Sequence, residues 1–203
     1  NKILVSGAVY EAGLYAEDEF TNLEDLINAL TFVEVYPWLA FLETLDSKKA
    51  SKEITIFSLK DQSTYESVSL NGDSRIHFFN LRNPDFFLMD ADVQTIRKIN
   101  EYMLKINYGD EEFRYPVIGD FSPIEVLNYI GLNKDDYMEE VAYIKPIEDE
   151  IVLGKINSLS VKATKFNTVQ LRKPLDNIIE VFILGEINYP GKYSLKSGST
   201  LTD

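Results

Sequence analysis

"ILVSGAVYEAGLYAEDEFTNLED", residues 3–25, decides the fold because "VFILGEINYPGKYSLKSGSTLTD", residues 181–203, is a second version of it. A shift of 178 positions aligns the two without a gap. Gly7 falls on Gly185, Gly13 on Gly191, Tyr15 on Tyr193, Leu23 on Leu201 and Asp25 on Asp203, while Val5 and Val9 fall on Ile183 and Ile187. A segment that recurs in frame encodes a repeated supersecondary unit, and such units pack in series.

Within the first copy, Ile3, Val5, Gly7 and Val9 alternate with other residues at strand spacing, and Glu11-Ala12-Gly13 turns the chain before Leu14, Tyr15 and Ala16. This predicts a β-hairpin with Gly13 at a positive-φ turn, matched by the Pro190-Gly191 turn of the last copy. Thr21 and Glu24 have capping-box spacing, and Leu23, Leu26, Ile27 and Leu30 follow at helical spacing. Residues 38–42 and 54–57 read as strands on either side of the polar turn 46–49. The turn Leu70-Asn71-Gly72-Asp73 precedes a closing strand at 75–79. Hairpin, helix and further strands in ~80 residues predict a small α+β sheet of β-grasp type.

Asn83-Pro84 marks a boundary, and residues 92–100 place Val93, Ile96 and Ile99 on one face of a connecting helix. A second unit opens with a strand at 103–106 and a charged bend, "YGDEEFRYPV". Ser122, Pro123 and Glu125 then start a helix that Gly131 stops, and strands follow at 141–144 and 151–153. "VQLRKPLDNI" parallels "VSLNGDSRI" as a closing turn, though the hairpin glycines of the first unit lack counterparts between Lys105 and Val117. The expected organisation is a β-grasp domain over 1–80, a linker with a short helix over 81–102, a divergent second domain over 103–180, and the truncated start of a third over 181–203.

The hairpin pattern resembles the SLBB domain, the soluble ligand-binding β-grasp module that occurs in tandem in Wza-type outer-membrane polysaccharide export proteins. Val5, Gly7, Val9, Gly13 and Tyr15 carry the resemblance, as do Ile183, Gly185, Ile187, Pro190, Gly191 and Tyr193. Leu70, Gly72, Asp73 and Ile76 resemble the close of such domains, with one extra residue between the Asp and the Ile. The resemblance implies a periplasmic part of an outer-membrane-associated capsule or exopolysaccharide exporter. Its partners would be polysaccharide, further copies of itself and an inner-membrane polysaccharide copolymerase. A monomeric carbohydrate-binding module is the alternative, and a glycan hydrolase stands third.

A net charge of −13 opposes nucleic-acid binding, which needs a basic face to displace counterions from phosphate. The acidic excess lies in residues 1–150, whereas residues 151–203 carry 7 basic against 4 acidic side chains. No run approaches the ~20 apolar residues of a membrane helix, so no membrane insertion is expected of this stretch. The start lacks the order of a signal peptide. Cysteine is absent, which excludes disulfides and thiolate metal sites.

Catalytic patterns are sparse, and no enzyme activity, cofactor or metal is expected. The sole histidine, His77, lies within an apolar strand, where a structural imidazole is the ordinary occupant. Asp90 with Asp92, residues 110–112 and residues 148–150 are acidic clusters without the glycine and ligand spacing of a calcium loop. The Gly7 to Gly13 segment has neither the P-loop lysine nor GxGxxG spacing. Trp38 after Pro37, and Phe86 with Phe87, are the candidate sugar-stacking aromatics, or alternatively a joint between units or subunits.

Overall fold

The computed structural model describes residues 2–46, 51–70, 73–82, 84, 86, 93–133, 137, 139–172, 178–183 and 191–196. The chain is mixed α+β, as expected, with two five-stranded sheets. The first sheet holds β1 (Lys2–Gly7), β2 (Gly13–Ala16), β3 (Val35–Asp46), β4 (Ser51–Phe57) and β5 (Ser74–Asn80) in the order β2-β1-β5-β3-β4. Strands β1 and β5 run parallel, and the other neighbours are antiparallel. The alternation of β1 sends Ile3 and Val5 inward, where they meet Leu42, Phe57, Ile76 and Phe78 beneath helix α1 (Leu23–Ala29). Leu23, Leu26 and Ile27 supply the buried stripe of that helix. Its cap lies one residue later than the sequence suggests. Asn22, not Thr21, is the N-cap and accepts from the Asp25 amide at 2.9 Å, while the Asp25 carboxylate accepts the Thr21 amide.

Helix α2 (Val93–Glu101) follows, and then a second sheet of identical plan. Strands β6 (Met103–Tyr108), β7 (Glu111–Pro116), β9 (Glu140–Lys145), β10 (Glu150–Lys155) and β12 (Thr168–Leu171) take the order β7-β6-β12-β9-β10. The first and last strands, β6 and β12, are again the parallel pair. Strands β8 (Asp120–Phe121) and β11 (Val161–Lys162) form a small separate ladder. Helix α3 (Pro123–Tyr129) covers the inner face with Val126 and Leu127. It closes in a Schellman turn, in which the Gly131 amide donates to Asn128 O and the Leu132 amide to Leu127 O, with Gly131 at φ +84°.

Two sequence expectations in this unit are corrected. The charged "bend" is strand β7, joined to β6 through Gly109 and Asp110, because alternating Glu112 and Arg114 sit on the open face of an edge strand. "VQL" is strand β12 rather than a turn. In the connector, Thr95 and Ile99 are the buried pair of α2, and Val93 is exposed.

The last hairpin, β13 (Ile178–Ile183) with β14 (Gly191–Lys196), repeats the first in register. The pairs Lys2↔Ala16, Ile3↔Tyr15, Leu4↔Leu14 and Val5↔Gly13 become Glu180↔Ser194, Val181↔Tyr193, Phe182↔Lys192 and Ile183↔Gly191 under the same shift of 178. Pairing begins at Ile178, three residues before the expected boundary.

Candidate functional site

The joint between the two sheets gathers most of the aromatic side chains singled out above. It originates in a register shift of β3 between Val35 and Ala40, around Pro37, whose missing N–H cannot serve a ladder. The Pro37 carbonyl accepts the Leu59 amide and the Ser58 hydroxyl, and the Trp38 carbonyl accepts the Ile118 amide at 3.1 Å. With the strand bent there, Tyr36, Trp38 and Leu39 enter the core of the second unit rather than that of the first.

Edge-to-face contacts tie the cluster together. Tyr36 lies 5.2 Å from Trp38, 5.0 Å from Phe86 and 5.5 Å from Tyr129, and Tyr115 joins at 5.4 Å from Tyr129. The buried Tyr36 hydroxyl donates to Pro116 O at 2.9 Å, and the Tyr129 hydroxyl donates to Leu81 O at 2.7 Å. Burial, reinforced by the neighbouring Tyr129 and Tyr115, drives the Tyr36 phenol well above its ordinary pKa, so it remains a neutral donor. Trp38 is 4% and Phe86 8% exposed. Both rings are packed in the cluster that spans the joint. Phe87 lies outside the described residues.

A polar clasp borders the aromatics. Asp61 opens a short turn, its Oδ1 accepting the Ser63 amide and hydroxyl, and its Oδ2 reaches across to the Asp120 amide at 2.8 Å. Burial works against the Asp61 charge, but the hydrogen bonds from Ser63 and Asp120 outweigh it and hold the carboxyl below its usual range. Gly119, at φ +73°, stands where an added Cβ would run into that carboxylate. Lys60 and Glu125 add an exposed ion pair at 3.3 Å. Neither Asp61 nor Gly119 is marked by any sequence motif; Asp-x-Ser reads as an ordinary turn.

The motif glycines divide into two kinds. Gly7 has φ +92°, and a Cβ there would lie 1.9 Å from Phe78 O, so the end of β1 can lie against β5 only without a side chain. Gly13 has the positive φ expected of it, +158°, a conformation that L side chains rarely adopt, with nothing within 4 Å of its would-be Cβ. Gly191 likewise meets nothing within 4 Å. The Tyr15 hydroxyl donates to Glu11 O at 2.6 Å, stapling the hairpin loop, whereas Tyr193 is 37% exposed. Asp73 accepts the Lys2 amide and, through its carbonyl, the Leu45 amide. Gly72, Gly185 and Pro190 lie outside the described residues.

Ser6 Oγ lies 2.9 Å from His77 Nδ1 and also donates to Ile76 O at 3.1 Å. With the hydroxyl proton directed to that carbonyl, Nδ1 donates to Ser6, the reverse of the path that activates a serine nucleophile. A shallow depression of about 330 Å³ on the outer face of the first sheet has Leu4, Leu14 and Leu45 with Lys2, Lys52 and Arg75 around it. It contains no aromatic plane for a sugar ring. Among the described residues no three acidic or histidine side chains cluster as a metal site would need, and no helix is long and apolar enough to cross a membrane. No protein-family model and no curated protein matches this chain.

Proposed function

We propose that this chain is a non-enzymatic, oligomerising segment of a polysaccharide export assembly, built of tandem β-grasp modules in the periplasm. One observation carries the reading: the order hairpin, helix, strand pair and parallel closing strand occurs twice, and a third hairpin repeats the register of the first. That order, with first and last strands parallel and adjacent at the centre, supports the β-grasp reading, and the residues Gly7, Gly13 and Tyr15 carry the resemblance to SLBB modules. The aromatic joint favours a geometric role, because it locks successive modules at one angle through Tyr36, Trp38 and Phe86. A polymer conduit needs walls of that kind more than it needs reactive groups. Polysaccharide and an inner-membrane copolymerase are the partners this reading supplies.

The natural full-length polypeptide, purified in detergent and imaged by electron microscopy, should form closed rings, and its loss should leave polymer in the periplasm. A strictly monomeric particle that binds capsular oligosaccharide tightly in calorimetry would replace this reading with that of a carbohydrate-binding module.

A further inference from the structure

Strands β4 and β10 hold the same place, the outer edge beside the third strand of their sheets. Each presents two apolar residues to the outer face, Ile54 and Ile56 on β4, Ile151 and Leu153 on β10. In the first sheet α2 lies across this stripe. Thr95 donates to the buried Glu43 at 2.6 Å, Lys98 donates to the Ile54 carbonyl, and Ile54 is left 8% exposed. In the second sheet the stripe is bare, with Ile151 64% and Leu153 77% exposed. Among the described residues no helix lies over it. Six residues separate β12 from β13, fewer than the nine of α2.

We propose that the outer edge of β10 pairs antiparallel with β10 of a second copy, about a two-fold axis at Val152. The strand is self-complementary in that register. Ile151 faces Leu153 of the partner subunit, and Leu153 faces Ile151 of the partner subunit. Shifting the register by two residues opposes Ile151 to Lys155 of the partner subunit in one direction and carries Leu153 past the start of the partner strand in the other, leaving one apolar pair in place of two. Among the described residues β10 has a strand neighbour on one side only, so its outward N–H and C=O groups are free to extend the ladder. An edge of six residues buries less than a standard interface, which makes the dimer weak and concentration-dependent. The inference stands on β10 alone and does not need the export reading.

Sedimentation velocity on the 203-residue chain from about 1 μM to about 1 mM should show a monomer–dimer equilibrium. Leu153→Asp should weaken it at least about tenfold, since two cross-strand apolar pairs are lost. Because the chain has no cysteine, single thiols report register directly. A mixture of Ile151→Cys and Leu153→Cys chains should form a mixed disulfide faster than either chain alone, because directly opposed residues stand ~4.5–5.5 Å apart at Cα, within disulfide reach. The proposal is overturned by a chain that stays monomeric at about 1 mM, by an oligomer indifferent to Leu153→Asp, or by thiols that cross-link without preference for the mixed pair. Folding of Leu153→Asp is checked by circular dichroism, and the thiol pairing decides independently should it misfold.

Discussion

A Cβ on Gly119 would lie 2.4 Å from Oδ2 of Asp61, although the two residues belong to different units and stand 58 positions apart. Two constraints meet at this glycine, its positive φ and the carboxylate in the way of a side chain. Gly119→Ala should therefore destabilise the chain by about 2–4 kcal/mol, combining the left-handed penalty with displacement of Asp61. Urea unfolding checks this, and a double-mutant cycle sharpens it. In an Asp61→Ala background the cost of Gly119→Ala should shrink, because only the backbone strain remains.

Asp61 also makes the clasp sensitive to acid. Its folded-state pKa is lowered, so its contribution to stability is complete above the unfolded carboxylate value of about 3.9 and is lost as pH falls through the lower folded value. Asp61→Asn should be less stable than the wild type at about pH 6, and the difference should narrow below about pH 4. Glu112, paired with Lys105 and Arg114, and Glu101, paired with Lys165, are shifted the same way, so only this difference isolates Asp61. A constant gap at every pH would refute the clasp.

The joint should be more sensitive than the surface around it. Tyr36→Phe leaves Pro116 O buried without its donor and should cost about 1–3 kcal/mol. Trp38→Ala opens a cavity among Tyr36 and Tyr129 and should cost about 3–5 kcal/mol. Hydrogen exchange should show both changes loosening the two units together, since one hydrophobic cluster spans them.

Gly7 and Gly13 look equivalent in the repeated phrase, yet their substitution should differ in degree. Gly7→Ala drives a methyl into Phe78 O and should cost at least about 3 kcal/mol. Gly13→Ala meets open space and should cost only the backbone strain of a side chain at positive φ, about 1–3 kcal/mol. Thermal melts of the two variants suffice.

Much of the first unit is legible in its sequence because each element there follows its own period. Ile3 and Val5 alternate on a strand with one buried face, and Leu23, Leu26 and Ile27 form a helical stripe. Strand β7 hides because Glu111, Glu112 and Arg114 cover an edge that faces water, and β12 hides because four residues cannot display a period. Trp38 and Phe86 read as candidates for exposure because their burial is decided elsewhere, by the β3 register shift and by Tyr129 arriving from the other unit. The Asp61–Gly119 contact leaves no local trace at all, since neither residue breaks any pattern in its own neighbourhood.

The parallel pairing of first and last strands governs how each sheet comes into being. During synthesis β1 has no neighbour but β2 until Ser74 to Asn80 emerge, and β6 waits in the same way for Thr168. Neither barrier to folding can be crossed by a nascent chain that lacks the final strand, so each unit must leave the ribosome almost whole before it gains stability. A translational pause shortly after residue 80 would give the first unit time to close before the apolar joint residues of the second appear beside it.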